Sequence, residues 1–154
     1  MKDLSDDLYS DLSERALKRL RRILRSQRQI DNLLDLHEAI DRGFALPPLE
    51  NHRWLSAFFG QIVAFERGSS SPYGASSGVS KKRLSSRLSG RIYELALAFE
   101  AAFDALGSEE AVIDFFRRPS TALNRRKPID LMSTPPGADL VKTHIERMRY
   151  GVYT

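Results

Sequence analysis

Apolar side chains recur at intervals of three and four from the fourth residue onward: Leu4, Leu8, Leu12, Ala16, Leu20, Ile23 and Leu24, then, after a polar gap, Ile30, Leu33, Leu34, His37 and Ile40. That period predicts one long helix, or two with a break near Ser26, closed by Gly43. ALPPLEN, with its two prolines, reads as a turn, and WLSAFFGQIVAFE then sets Trp54, Phe58, Ile62 and Phe65 on one helical stripe suited to a core. The stretch RGSSSPYGASSG is too polar to pack and is expected to be a mobile loop over 68–80.

The second half is also helical in pattern. Ser80 is placed to cap a short basic helix, Lys81 to Leu88, and Ile92, Leu95, Ala96, Phe99, Phe103 and Leu106 form a longer stripe stopped by Gly107. A short basic helix beside a buried one has the layout of a helix-turn-helix, and a solvated basic turn without function is the alternative. Ser108 caps a helix with Glu109 and Glu110 in its first turn and Arg117 and Arg118 in its last, ended by Pro119. Pro128 opens PIDLM. Thr134 caps a final helix with Pro135 at its first position, Val141, Ile145 and Met148 on its buried side and Gly151 past its end. No alternating strand pattern interrupts the series, so the expected fold is all-α. It divides into a helical arm (1–46), a helical core with a helix-turn-helix-like part (47–107), and a C-terminal unit (108–154).

Composition narrows the chemistry. The 154 residues, 42% hydrophobic, are enough for a real core. Without a long apolar run or a basic, then apolar, start, no membrane attachment is expected and the protein should be cytoplasmic. No cysteine is present, which removes disulfides, thiolate zinc sites and cysteine nucleophiles. His37, His52 and His144 are too far apart in sequence to share a helical face, so no metal is expected; no nucleophile–base pair or phosphate loop suggests an enzyme or a cofactor.

The net charge of +4 and a pI near 9.6 matter less than their distribution. Three segments, Arg15–Arg28, Lys81–Arg91 and Arg117–Lys127, are basic and contain no acid. In the first, Arg15, Arg19, Arg22 and Arg25 form a ridge opposite Leu17, Leu20 and Leu24. It either meets phosphates or simply complements the dipole of a helix whose start carries Asp3, Asp6, Asp7 and Asp11.

The order of motifs in EEAVIDFFRRPSTALNRRKPIDLMSTPPGADLVKTHIERMRYGVYT resembles the C-terminal toxin-binding domain of Xre/MbcA/ParS-type antitoxins. The resemblance rests on Phe116 and Pro119, Ala122-Leu123, Pro128-Ile129-Asp130-Leu131, Thr134 with Gly137, Val141, and Tyr150-Gly151-Val152. Asn124-Arg125-Arg126 stand where the family commonly has glycines. VSKKRLSSRLSGRIYELALAFEAAF is similar to the second half of an Xre-like helix-turn-helix, from which the spacing around Ser89-Gly90 departs. The resemblance implies a type II antitoxin. Its partner would be a RES-domain toxin, an enzyme that consumes NAD or transfers ADP-ribose to a protein, with operator DNA as a further partner through Lys81, Lys82, Arg83 and Arg87. A DNA-binding repressor without a neutralising role is the competing function.

The expected toxin contacts are Arg149, Tyr150, Gly151, Val152, Tyr153 and Thr154, together with the cationic turn Arg125, Arg126 and Lys127. A helix that ends at Gly151 can place two aromatic rings, Tyr150 and Tyr153, and a carboxylate into a concave site built for NAD. The bland alternatives are that Tyr150 and Val152 pack back onto Phe115 and Phe116, and that the turn is merely solvated. The arm's stripe is long for one small domain to cover, so a homodimer of antiparallel arms is expected, with Asp6, Asp7 and Asp11 near Arg19, Arg22 and Arg25 of the second copy. Its rival is an intramolecular hairpin folding back at Ser26.

Overall fold

The computed structural model describes residues 4–24, 30–45, 52–64 and 84–151, and among them every regular element is helical. The elements are α1 (Leu4–Ile23), α2 (Leu33–Arg42), α3 (Arg53–Ala64), α4 (Ser86–Leu106), α5 (Glu109–Arg117), a 3-10 turn (Thr121–Leu123), α6 (Pro128–Leu131) and α7 (Pro135–Arg149). The expected loop over 68–80 lies outside the described residues.

The centre of the fold is α4. Its run Leu95-Ala96-Leu97-Ala98-Phe99-Glu100 is buried at every position, which requires cover on all sides of the helix. α1, α2, α3, α5 and α7 all pack on it. Two ion pairs fix the direction of α1: Arg15 meets Asp104 and Arg19 meets Glu100, so α1 runs antiparallel to α4. Lys142 meets Glu94 and Arg149 meets Asp104, so α7 runs parallel to α4, with α5, the 3-10 turn and α6 making the crossover.

The caps follow the sequence closely at most helix starts. Asn32, Ser108 and Thr134 each accept a backbone N–H of the first turn, from Asp35, Ala111 and Gly137. A side chain in this role contributes about 1 kcal/mol. Gly107 closes α4 with left-handed backbone, φ 84°.

α4 corrects the expected basic helix over Lys81 to Leu88. Leu84 and Ser85 are not helical; α4 begins at Ser86 and passes through Ser89-Gly90 without a break. Ser85, not Ser80, is the cap, accepting the Leu88 N–H at 3.1 Å. Ser89 is buried and its hydroxyl has two partners: it donates to the Ser85 carbonyl at 2.9 Å and accepts the Phe44 N–H at 2.8 Å. The Phe44 carbonyl accepts the Leu84 N–H in turn, so the chain leaving α2 is stitched to the start of α4. Ser89-Gly90 is thus where α2 meets α4, not a helix break; a Cβ added at Gly90 would make an ordinary contact with Ile40 at 3.9 Å.

Both described helices of the arm pack on α4 of their own chain. Ala16, Leu20, Ile23, Leu24, Ile30 and Leu36 are buried in the core of their own chain, so this part of the stripe needs no second copy to cover it. The expected break near Ser26 falls outside the described residues, between α1 and α2. Nor do Arg15 and Arg19 form an outward ridge. Arg15 grips Asp104 with both terminal nitrogens, at 2.6 and 2.7 Å. Arg19 donates to Glu100 at 2.6 Å, and its guanidinium lies over the rings of Phe99 and Trp54, at 4.4 and 5.5 Å from their centroids. Glu100, only 7% exposed, is a carboxylate that burial would penalise heavily without these arginines. Of the remaining ridge, Arg22 is exposed and Arg25 lies outside the described residues.

Candidate functional site

The C-terminal unit is built from α5 outward. Val112, Ile113 and Phe116 form its buried side, and the Phe116 ring meets Phe58 and Phe115 edge-on at 5.5 and 5.2 Å. Pro119 follows, and the chain reverses in a closed hairpin. The Ser120 N–H donates to the Arg126 carbonyl at 3.0 Å, the Arg125 N–H to the Ser120 carbonyl at 2.8 Å, and Leu123 is buried in the core. Closing it requires left-handed backbone at Asn124, φ 56°, and Arg125, φ 59°. Asparagine tolerates that region; for most L-residues it costs roughly 1–2 kcal/mol. The geometry explains why glycines suit these positions. Arg125, Arg126 and Lys127 are exposed, as the sequence suggests.

Pro128 then opens α6, with Ile129 fully buried, and Thr134 caps α7. The Thr134–Gly137 spacing has a steric reason: a Cβ at Gly137 would lie 2.0 Å from the Leu131 carbonyl oxygen. Ala138, Val141 and Ile145 face the core, and Met148 is partly buried against it.

His144 joins the hairpin to α7. Its ring stacks on Phe115 at 5.8 Å between centroids, and its Nε2 is 3.4 Å from the Ser120 hydroxyl. Burial pushes the imidazole pKa below its ordinary value, helped by the nearby positive charge of Arg147. The unfolded chain therefore takes up this proton first. The contribution of neutral His144 is complete above its unfolded value of about 6.5 and is lost as pH falls through the lower folded value. We expect the drop in thermal midpoint between pH 7 and pH 5 to be smaller in His144→Phe than in the parent chain; equal drops would contradict this role.

At the end of α7 the expected contacts separate. Tyr150 is 70% exposed, and Phe115 and Phe116 find their ring partners elsewhere, so Tyr150 does not fold back on them. Gly151, φ 67°, ends the helix with its N–H on the Met148 carbonyl. Val152, Tyr153 and Thr154 lie outside the described residues. Arg149 turns its side chain, 15% exposed, back to Asp104 at 3.3 Å and is engaged within the chain. Asp104 thereby binds the arm and the base of the tail together. Its carboxyl is held below the usual range first by the hydrogen bond from Arg15, with the charges of Arg15 and Arg149 adding to it. Sequence reasoning missed Asp104, whose partners are 89 and 45 positions away and leave no local pattern.

Of the expected DNA contacts, Arg87 is exposed in the first turn of α4, and Lys81, Lys82 and Arg83 lie outside the described residues. Because Leu84 and Ser85 are not helical, no single recognition helix carries all four. Among the described residues no helix is long and apolar enough to cross a membrane.

Residues 101–151 match the family model of the antitoxin Xre/MbcA/ParS C-terminal toxin-binding domain. The C-terminal third of this chain is therefore similar to an antitoxin's toxin-binding domain. No curated protein matches the chain. The antitoxin match opens inside α4, three residues before Asp104, and closes on Gly151, so it takes in the Asp104–Arg149 pair, the cationic hairpin and exposed Tyr150. In that family the matched domain is the part that binds a toxin.

Proposed function

We propose that this antitoxin neutralises a RES-domain toxin in the cytoplasm, an enzyme that consumes NAD or transfers ADP-ribose from it to a protein, by passing Val152, Tyr153 and Thr154 into the toxin's active site. The observation that carries the reading is the exposed Tyr150 at the point where the toxin-binding domain ends. A pocket that holds NAD must accept flat aromatic rings, and tyrosine fills such a space with few rotamers to freeze. The Arg149–Asp104 pair supports the same reading, because it fixes the last turn of α7 and so limits the directions in which the tail can leave. A repressor without a neutralising role is disfavoured by the non-helical Leu84-Ser85 step, which divides its four expected DNA contacts.

Competition with NAD tests the proposal. Binding of the chain to a catalytically inactive cognate RES-domain toxin, titrated at rising NAD concentration, should weaken in proportion to NAD occupancy. An affinity unchanged at saturating NAD would overturn insertion.

A further inference from the structure

Arg125 occupies left-handed backbone that glycine would adopt without strain, and it does so on the surface. Strain of this kind, where no packing requires the side chain, points to a use for the side chain itself. Arg126 and Lys127 beside it are also exposed, and among the described residues no ion pair engages any of the three. The hairpin that carries them rests on α7 through Ser120 and His144. One turn to either side of His144 stand Leu140, 57% exposed, and Arg147, exposed, which share a face of α7; Tyr150 follows at its end.

Sign and composition select the partner. Leucine and tyrosine beside the hairpin cations and Arg147, with exposed Asp139 and Glu146 at the edge of the same side of α7, have the mixed make-up of a protein–protein interface, whereas a groove that tracks phosphates would be basic throughout. The match to a toxin-binding domain covers every one of these residues. We propose that the Arg125–Lys127 hairpin and the outer face of α7 form a docking surface, separate from the tail, for an acidic face of the toxin with an apolar depression at its centre. The inference rests on the antitoxin reading and not on insertion. In this arrangement the cations steer the encounter, and Leu140 and Tyr150 supply the contact that holds it.

Association of the full chain with the inactive cognate RES-domain toxin, followed at several salt concentrations, tests this with two variants. Arg125→Gly removes the charge and relieves the backbone; it should slow association about threefold at low salt without lowering the thermal midpoint. The double variant Arg125→Glu with Arg126→Glu should slow association by about tenfold or more and flatten its salt dependence. On-rates and salt slopes equal to those of the parent chain would overturn the docking surface. So would variants that weaken binding to duplex DNA while leaving toxin association untouched, which would assign the hairpin to nucleic acid. If the variants slow association while NAD fails to compete, only insertion is wrong; if NAD competes and the on-rates do not move, only the docking surface is wrong. A chain that binds no RES-domain toxin would overturn both.

Discussion

Replacing Gly137 with alanine is expected to cost about 3 kcal/mol, at the upper end of what overpacking a tight site costs, and to lower the thermal midpoint by about 6–12 °C. The added Cβ would stand 2.0 Å from the Leu131 carbonyl oxygen and 2.9 Å from its carbon. Both are backbone atoms, so no side-chain rotation relieves the clash. Either α7 must lift from α6 or α6 must shift, and α6 is held by buried Pro128 and Ile129, with buried Met132 just beyond it. The Thr134 cap is exposed to the same displacement, since its hydroxyl accepts the Gly137 N–H and would itself lie 3.0 Å from the new carbon. Gly60 provides the contrast. It lies in α3, is exposed, and has no atom within 4 Å of an added Cβ, so Gly60→Ala should be neutral or stabilising by about 0.5–1 kcal/mol. Thermal melts of the two variants check both statements, and a Gly137→Ala midpoint within about 2 °C of the parent would contradict the steric account.

The C-terminal domain was the most legible part of the sequence because its signals are local. Ser108, Pro128, Thr134 and Pro135 mark helix starts by capping and φ preference, and each does so in the structure. The Thr134–Gly137 spacing was visible as a pattern, but its cause, the approach of the Leu131 carbonyl, depends on how two helices meet. The same holds at Asn124-Arg125, where the positions suit glycine because the loop closes through left-handed backbone.

The arm shows where pattern reading stops. A stripe of leucines specifies that something must cover it, and a second arm or the chain's own core would serve equally well. The deciding feature lay elsewhere in the sequence, in the uninterrupted Leu95–Phe99 run, which demands cover on more faces than the C-terminal helices supply. α1 provides that cover, and Arg15 and Arg19 follow because their acidic partners sit on α4. Ser80, the expected cap, lies outside the described residues, and Ser85 caps α4. The choice of Ser85 depends on Ser89 holding the Phe44 backbone, a contact across 45 residues that propensity does not encode.

The arm and the C-terminal unit are therefore packed together, joined at the base of the tail. Asp104 takes Arg15 from α1 and Arg149 from the last turn of α7, and two residues beyond Arg149 the chain turns out at Gly151. Anchoring the base of a short segment in this way reduces the ordering cost of binding it, which is how a few residues can carry most of an interface's affinity. Truncation after Gly151 tests this directly. The shortened chain keeps every residue of the matched domain and should melt as the parent does. It should inhibit the cognate RES-domain toxin about 100-fold less well, the loss expected when one buried aromatic anchor is removed. Inhibition of NAD turnover by the shortened chain at the same concentrations as the parent would contradict insertion of the tail.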